Sequence, residues 1–405
     1  MSIKKEKIPI VRFRDFSEPW IKNQLSEIAE FSKGRGYSKK DLQSHGTPII
    51  LYGRLYTNYE SVISNVETYA NLEENSVVSE GGEVIIPASG ESADDISRAS
   101  CVIDRGIILG GDLNIVRPRE YLNSLFIAIT LSNGSQQREL SKRAQGKSVV
   151  HLHNSDLKAV KLFYPSYEEQ SAISSLFRTL DDLLSSYKDN LFNYQSLKAA
   201  TLSKMFPKAG KAVPEIRLAG FEGEWEEKKL GSLGSVAMNK RIFKDETSDY
   251  GDIPFYKIGT FGGTADSFIT KEKFKEYKEK YPYPEIGDIL ISASGSIGRT
   301  VVYNGEDAYY QDSNIVWLKH DQQLDNSYLK QYYGIIKWSG IEGTTIKRLY
   351  NKNILETNIF LPPSVVEQRA IGTYFLNLDN LINSYQEKIS QLETLKKKLL
   401  QDMFI

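Results

Sequence analysis

Two short segments carry residue types that enzymes use for phosphate or methyl-group chemistry. Gly146-Lys147-Ser148 matches the end of a phosphate-binding loop, but Ser141 stands where that loop needs its first glycine. Leu361-Pro362-Pro363-Ser364 lacks the flanking residues of the Asn/Asp-Pro-Pro-aromatic element of adenine methyltransferases, and instead predicts a stop before a helix. No Gly-x-Gly-x-x-Gly follows a strand-like run, so the sequence predicts no dinucleotide or methyl-donor site.

The histidines, the cysteine and the carboxylates show no catalytic spacing. His151 and His153 alternate and would share one strand face, but two ligands without a third rarely hold a metal. His45 and His320 are remote in sequence, and the acidic residues are too scattered to predict a nuclease site. The single cysteine, Cys101, cannot form an internal disulfide and fits a reducing compartment. We therefore expect a non-catalytic chain with no metal or cofactor of its own.

The basic residues are concentrated in a few stretches. Residues 228–244 contain five Lys and Arg side chains and no acidic one, and residues 138–161 contain six against two. Residues 347–352 hold a similar stretch at the corresponding place in the second half of the chain. One such stretch alone is typical of a solvated surface, but recurrence at equivalent positions favours contacts with nucleic-acid phosphates.

The composition is that of a globular protein with more than one domain. The chain has 405 residues, of which 40% are hydrophobic and 25% charged, and its net charge is −1. This balance excludes wholesale disorder and argues against indiscriminate coating of polyanions. No signal peptide is visible, and the most apolar run, near residues 125–131, is too short to span a membrane. These features predict a cytoplasmic protein with no membrane partner.

The chain repeats a unit of about 200 residues. The aligned segments are residues 8–13 with 213–218, 82–90 with 287–295, 112–116 with 312–316, and 169–173 with 367–371. The first two pairs share an offset of 205, whereas the last two have offsets of 200 and 198. Short β-branched runs bounded by turn residues predict that the first part of each copy is a globular α/β unit.

Each copy ends in a heptad pattern that predicts one long helix. Apolar residues recur every seven positions with a second set between them, as in a coiled-coil seam. The predicted seam contains Ile173, Leu180, Tyr187 and Tyr194 with Leu176, Leu183 and Leu197, and Ile371, Leu378, Tyr385, Leu392 and Leu399 with Tyr374, Leu381 and Leu395. We expect the two helices to pair, so that aspartate at Leu183 or Leu381 opens the pair. The alternative is that each helix packs separately on its own domain.

Over its whole length the chain resembles the DNA-specificity (S) subunits of type I restriction–modification systems. The resemblance is carried by Pro-x-x-Arg-Phe-x-x-Phe-x-x-x-Trp at residues 9–20, which is degenerate at 214–225, and by Gly-Asp-Ile-Leu-Ile-Ser at 287–292. It is also carried by Pro-x-x-x-Glu-Gln-x-x-Ile at residues 165–173 and 363–371. Each motif alone is weak, and the tandem order makes the set specific.

The resemblance implies an α+β fold, with two tandem-repeated α/β target-recognition domains separated by two long helices that form an antiparallel coiled coil. The implied boundaries are residues 1–165 and 209–363 for the domains and 166–208 and 364–405 for the helices. Each domain is expected to read one half of a bipartite asymmetric DNA site. The helices are expected to set the gap and to bind two methyltransferase (M) subunits. Restriction (R) subunits complete the complex, and S-adenosylmethionine, ATP and Mg are expected only in the partner subunits.

Charge and repeat position select the candidate double-stranded-DNA contacts. Ser89 and Ser294 end equivalent strands where small residues allow close approach, although tight turns would need them too. The full set is Lys33, Arg35, Arg54, Ser89, Arg98, Lys147, His151, His153, Lys240, Arg241, Lys257, Ser294, Arg299, Lys347, Arg348 and Tyr350. The other hypotheses are a non-catalytic tandem-repeat interaction scaffold and a stand-alone methyltransferase or nuclease.

Overall fold

The computed structural model describes residues 8–146, 149–340 and 348–405, which divide into two compact units. Unit 1 combines the chain up to Lys188 with Glu387–Ile405, and unit 2 is Asp189–Gln386. Each unit therefore holds the globular part of one copy, the first half of that copy's long helix and the end of the other copy's helix. The predicted α+β architecture is confirmed, and the exchange of helix ends is an addition to it.

The strands of unit 1 form one central five-stranded sheet and several smaller sheets. They are β1 (Ile21–Gln24), β2 (Ala29–Lys33), β3 (Thr47–Ile50), β4 (Val62–Ile63), β5 (Tyr69–Ala70), β6 (Glu83–Pro87), β7 (Ser89–Gly90), β8 (Ser100–Val102), β9 (Ile108–Leu109), β10 (Leu113–Pro118), β11 (Val150–His151) and β12 (Lys161–Tyr164). The central sheet has the order β2-β10-β6-β8-β4, and β5-β3-β9 form a second sheet. Strand β6 is buried on both faces, because Val84 and Ile86 pack against helices while Ile85 faces the second sheet.

The helices of unit 1 pack against the central sheet, most of them on one face and residues 54–57, through Leu55, on the other. They are α1 (Leu25–Ile28), α2 (Arg54–Thr57), α3 (Ala93–Ile96), α4 (Ser124–Leu131), α5 (Gly134–Arg143), α6 (Asn154–Lys158) and the first half of α7 (Tyr167–Lys204). The apolar run near residues 125–131 forms α4, which is buried on all sides as an all-round apolar helix must be. The Asn123 side chain accepts a hydrogen bond from the Phe126 amide and caps this helix.

Unit 2 repeats this arrangement around a four-stranded central sheet. Its strands are β13 (Glu226–Lys229), β14 (Gly234–Ala237), β15 (Ile253–Tyr256), β16 (Phe268–Ile269), β17 (Ile289–Ser292), β18 (Thr300–Val302), β19 (Tyr309–Tyr310), β20 (Ile315–His320) and β21 (Asn358–Leu361). Its helices are α8 (Lys271–Lys280), α9 (Asn326–Tyr333), α10 (Asn351–Glu356) and the first half of α11 (Val365–Asp402). The central sheet has the order β14-β20-β17-β18, and β16-β15-β19 form a second sheet.

Strand register corrects one of the predicted repeat alignments. Ile115 lies opposite Ile85 and Ser32, whereas Trp317 lies opposite Leu290 and Ala237. Since β6 and β2 match β17 and β14 at an offset of 205, β10 matches β20 at 202 rather than at 200. The sequence could not show this error, because a two-residue slip leaves every side chain on the same face of the sheet.

A buried ion pair joins the N-terminal segment of each copy to the start of its long helix. The Arg12 Nε and Nη2 atoms donate to the two Glu169 carboxylate oxygens at 2.7 Å each. Arg217 makes the same two contacts with Glu367, at 2.7 and 2.8 Å. Both glutamates are almost fully buried, and these hydrogen bonds raise the pKa of each arginine above its usual value. The arginine of the first motif and the glutamate of the third are therefore partners.

The glutamine of the Glu-Gln motif fixes the same helix to a neighbouring one. The Gln170 side chain accepts from the amide of Asn123, the residue that caps α4, and donates to the Pro165 carbonyl. Gln368 likewise accepts from the amide of Asp325, the residue that caps α9. Both glutamines are buried, so the motif is explained by packing inside each unit.

The long helices pair in antiparallel directions within each unit. In unit 1, Asp181 pairs with Lys396 and Lys188 with Glu393, so the contacts move up α7 as they move down α11. In unit 2, the Tyr194 ring stacks on that of Tyr385, with centroids 5.5 Å apart. Farther along the same pair, Lys198 Nζ lies 2.5 Å from the Asp379 carboxylate.

The alternative prediction, that each long helix packs on its own domain, also holds for the first part of each helix. Ile173, Phe177 and Leu180 join the core of unit 1. Ile371, Phe375 and Leu378 join the core of unit 2. The helix starts are therefore core elements of their own domains, and the pairing of the two helices continues beyond them.

Four of the fifteen predicted seam residues are wrong by one position, whereas Leu176 and Tyr374 do pack against the cores of their units. Leu183, Leu197, Leu381 and Leu395 are 38–45% exposed. The inward set consists of the predicted positions Ile173, Leu180, Tyr187, Tyr194, Ile371, Leu378, Tyr385, Leu392 and Leu399 together with Phe177, Leu184, Leu191, Phe375, Ile382 and Ile389. From Ile173 or Ile371 onward, successive seam residues are thus separated by four and then three positions, instead of three and then four. Aspartate at Leu183 or Leu381 is consequently no longer expected to open the pair.

The helix ends complete the cores with equivalent phenylalanines. Phe206 packs in unit 2 against Trp225 and Phe375. Phe404 takes the corresponding place in unit 1, against Phe126 and Phe177. A backbone hydrogen bond from the Val11 amide to the Asp402 carbonyl accompanies this packing in unit 1, and the Ile216 amide bonds the Lys204 carbonyl in unit 2. Each unit therefore needs the end of a helix that starts in the other copy.

The adjacent residues Leu183 and Leu184 test the corrected seam. Leu184 is 7% exposed and Leu183 is 38% exposed. Leu184→Asp should lower the free energy of unfolding by at least the ~2–5 kcal/mol that truncation of a buried leucine costs, because an unpaired carboxylate would be buried. Leu183→Asp should change it by less than about 0.5 kcal/mol. Urea unfolding of both variants, followed by circular dichroism, distinguishes the two frames; equal destabilisation would contradict the corrected one.

Candidate nucleic-acid interface

At one end of the central sheet of each unit, two strands end and the antiparallel strand between them begins. In unit 1, β2 and β6 end there and β10 begins, and in unit 2 the same is true of β14, β17 and β20. Residues 348–350, like the segment that holds β11, run alongside. We call this end of the sheet, together with the loops beside it, the basic edge. It is formed by residues 33–37, 88–90, 110–112 and 149–153 in unit 1, and by residues 238–242, 293–295, 311–314 and 348–350 in unit 2.

The same backbone hydrogen bonds build the basic edge twice. The amide of Ala88 donates to the Asp112 carbonyl at 2.7 Å, and the carbonyl of Ala88 accepts from Leu152 at 3.0 Å. In unit 2 the amide of Ala293 donates to Asn314 at 2.7 Å, and its carbonyl accepts from Leu349 at 2.8 Å. The Ala-Ser-Gly strand ends are thus held on both sides by neighbouring loops.

Five predicted contact residues meet at the basic edge of unit 1. Lys33 ends β2 and is exposed, as is Arg35 two residues later. His151 lies opposite Ser89 in the β7–β11 pair. The exposed rings of His151 and His153 are parallel, with centroids 6.2 Å apart. Ser89 itself is buried, so its small side chain serves the close approach of the two strands.

The basic edge of unit 2 brings together a different set of five. The Lys240 ammonium lies 5.2 Å from the centre of the Tyr281 ring. Arg241 Nε donates to the Asp312 carboxylate at 2.9 Å. Arg348 lies beside Ser294 in an isolated bridge, and its guanidinium is 5.8 Å from the centre of the Tyr350 ring. Lysine, arginine and an exposed aromatic ring on one edge suit contacts with phosphates and base edges.

Two further candidates flank the basic edge of unit 2 with their side chains engaged. Arg299 closes the turn between β17 and β18, and its Nη1 donates to the Phe261 carbonyl at 2.7 Å. Lys257 follows β15 and pairs with Asp266 at 2.8 Å. These contacts hold the neighbouring loops in place.

The structure places Arg54 and Arg98 away from the basic edge. Arg54 Nη2 donates to the Glu60 carboxylate at 2.6 Å and to the Asn65 carbonyl at 2.8 Å, so it closes a loop between α2 and β4. Arg98 lies over the Tyr59 ring and lines a small cavity that Asp181 also lines. Both were selected from charge alone, which does not separate loop-closing arginines from free ones. Lys147 and Lys347 lie outside the described residues.

Sequence reasoning missed Asp312 and Ser313 in unit 2. In the described parts of the chain, the non-glycine residues with positive φ are Tyr37, Asp112 and Ser313, and all belong to the basic edges. Such a conformation costs roughly 1–2 kcal/mol for an L-residue and often marks a functional loop. Tyrosine and serine are not typical at positive φ, so residue type gave no signal.

Two buried side chains keep their protons, and neither provides a nucleophile. Burial raises the pKa of the Cys101 thiol to about 12, which leaves it protonated at neutral pH. Burial also raises the pKa of Tyr309, whose hydroxyl donates to the Lys240 carbonyl at 3.0 Å and so fixes the backbone of the basic edge. Among residues 8–146, 149–340 and 348–405, no group of three or more His, Cys, Asp or Glu side chains could hold a metal ion.

The tandem organisation of the chain matches one protein family. The sequence model of the type I restriction modification DNA specificity domain matches residues 17–191 and again residues 222–394. The chain belongs to this family of specificity subunits. The predicted resemblance is thereby confirmed, and the interaction scaffold is not favoured.

Individual relatives agree with this family. A putative type I restriction enzyme specificity subunit from Haemophilus influenzae is 38% identical over 276 residues, which cover 68% of this chain and 69% of that protein. The crystal structure of the M. genitalium S subunit shares the fold, with a TM-score of 0.64 at 16% identity over 98% of this chain and 99% of that one. A chain from a structure on complex assembly and conformational transition of the type I R-M system has a TM-score of 0.50 at 18% identity and covers 94% and 96%.

No helix within the described residues of this specificity subunit is long and apolar enough to cross a membrane. The long helices α7 and α11 alternate charged and apolar residues, and α4 has only eight residues.

Arg35 and Arg98 test the placement of the basic edge. Arg35→Ala in the specificity subunit should weaken DNA binding of the assembled complex. It should also reduce the steepness of the plot of log K against the logarithm of salt concentration by about one, because one phosphate contact is lost. Arg98→Ala should leave the slope unchanged, since that side chain lies against Tyr59. Fluorescence anisotropy over a salt series measures both. An equal fall in slope for Arg98→Ala would contradict the assignment.

Proposed function

We propose that each unit reads one half of a bipartite, asymmetric duplex site with its basic edge. The observation that carries this proposal is the repeated construction of the edge: the backbone hydrogen bonds recur in both units, but the side chains differ. A shared backbone gives both units the same approach to DNA, and the different side chains give them different base preferences. An asymmetric bipartite site is the natural target of such a chain.

The long helices are suited to fix the gap between the half-sites. Each has 38 residues, about 57 Å at a rise of roughly 1.5 Å per residue. Two half-sites one DNA turn apart on the same face are separated by about 34–36 Å. A helix of this length is long enough for that separation, and the ion pairs within each unit hold the register of α7 against α11.

The helices also offer equivalent apolar positions for two methyltransferase subunits. Unit 1 exposes Leu183 of α7 and Leu395 of α11, and unit 2 exposes Leu381 of α11 and Leu197 of α7. Because the repeat matches Leu183 with Leu381 and Leu197 with Leu395, each unit presents the same pair. Two equal surfaces fit two copies of one partner, which would supply S-adenosylmethionine chemistry. Restriction subunits would add the ATP- and Mg-dependent steps.

Charge at one exposed leucine should release one methyltransferase subunit. Leu183→Asp places a carboxylate on the proposed contact surface of unit 1 without opening the helix pair. Native mass spectrometry of the co-expressed proteins should show a shift from two methyltransferase subunits per chain to one. Ser185→Asp, which adds the same charge at an exposed polar position of the same helix, should retain two. Retention of both subunits by Leu183→Asp would contradict this surface.

Exchange of one domain tests the reading of half-sites. Residues 1–165 are replaced with the recognition domain of another specificity subunit, and the genome is examined by modified-base sequencing. We expect one half of the methylated motif to change while the other half and the gap are preserved. Deletion of the gene is the control and should remove the whole motif. A change in both halves would contradict the assignment of one domain to one half-site.

A further inference from the structure

Arg241 and Asp312 form an ion pair whose geometry is better suited to orientation than to stability. Arg241 Nε lies 2.9 Å from Asp312 Oδ2, and the two side chains are 59% and 17% exposed. A pair this exposed contributes little to folding, because water screens the charges. With Nε occupied, the four N–H groups on the two terminal nitrogens of the guanidinium remain available to a ligand.

The loop that carries Asp312 is itself held in position. Ser313 has a φ of +53°, a conformation that costs energy for serine and persists only where neighbours impose it. Arg348 Nη2 lies 3.2 Å from the Ser313 hydroxyl. The Ser294 hydroxyl donates to the Asn314 side chain at 2.8 Å. Asp312 is therefore a fixed acceptor, and Arg241 is oriented by a rigid loop.

In unit 1 the position that matches Arg241 does not hold an arginine. Ser32 and Ala237 occupy matching strand positions, so Gly36, four residues after Ser32, matches Arg241. The Gly36 carbonyl instead accepts from the Gly111 amide at 2.6 Å, and this position has no side chain to offer a ligand. The exposed polar rings at the edge of unit 1 are those of His151 and His153. The two edges thus differ at the position of Arg241.

We propose that Arg241 is a specificity-determining residue that reads a guanine in the half-site of unit 2, with Asp312 as its positioning residue. Two N–H donors of the guanidinium would bond guanine O6 and N7 in the major groove, a bidentate contact that distinguishes guanine from the other bases. This inference rests on the proposed function, since it requires that the basic edge faces base pairs. It adds that one half-site contains a G·C pair whose recognition depends on Arg241 and is independent of unit 1.

The first experiment expresses each variant with its methyltransferase subunit and determines the methylated motif by modified-base sequencing. Arg241→Ala should relax one G·C position to any base in one half-site, with a loss of discrimination of about tenfold or more. The other half-site and the gap should be unchanged. The control is Arg369→Ala, because Arg369 pairs with Asp325 at 3.1 Å and the exposures are similar, 68% and 18%. It should keep the wild-type motif.

Asp312→Asn separates the positioning role from loss of the arginine. This variant keeps the guanidinium and weakens its acceptor, so the same position should relax to a smaller extent. If Arg241→Ala abolishes methylation, this variant decides: relaxation at one G·C position supports the inference, and an unchanged motif overturns it. An unchanged motif in Arg241→Ala, or relaxation at an A·T position, also overturns it. Absence of any bipartite methylation with the wild-type chain would instead overturn the proposed function.

A binding measurement identifies the atom that is read. Replacing the guanine with 7-deazaguanine removes the N7 acceptor and leaves the base pair intact. The wild-type complex should bind such a duplex several-fold more weakly than the normal one, whereas the Arg241→Ala complex should bind both equally. Equal weakening of both complexes would show that another residue contacts N7, and would overturn the assignment to Arg241.

Discussion

The two buried arginine–glutamate pairs are the constraint on which the rest of each unit depends. A buried pair of charges gains little over apolar packing, but removing one partner leaves an uncompensated charge and costs roughly 3–5 kcal/mol. Arg12 and Arg217 therefore keep the N-terminal segments on Glu169 and Glu367. The position of each helix start relative to its central sheet follows from this contact. The adjacent glutamines then fix the same turn to the caps of α4 and α9.

Once the helix start is fixed, the direction of each seam residue is fixed as well. Gly372 shows how tight this junction is, because a Cβ there would lie 1.9 Å from the Ser327 hydroxyl of α9. The first turns pack on the domain core, and the pairing of α7 with α11 continues the same stripe. A single stripe thus serves two purposes, which leaves the neighbouring stripe with Leu183 and Leu381 exposed.

The sequence predicts the repeat, the long helices and the basic stretches at equivalent places in both copies, since each depends on a pattern sustained over many residues. It does not decide the frame of the seam, because Leu183 and Leu184 are both leucines and both frames look apolar. It does not decide the match of β10 with β20, because a slip of two residues preserves the alternation. Nor does charge reveal that Arg54 bonds Glu60. In all three cases a local pattern fits two structures, and only tertiary contacts select one.

The basic edges reconcile a nearly neutral chain with a role on DNA. With a net charge of −1, long-range attraction of the whole chain to DNA is weak, so affinity must come from local groups or from partner subunits. In unit 2 the edge keeps Asp312 next to Arg241, which lowers the local positive charge but fixes the direction of the donors. Residues with positive φ occur in the loops of both basic edges, at Tyr37 and Asp112 in unit 1 and at Ser313 in unit 2. The positive-φ residues lower stability and the ion pair lowers non-specific attraction to DNA. Both give the loops a defined geometry, which reading a base sequence requires.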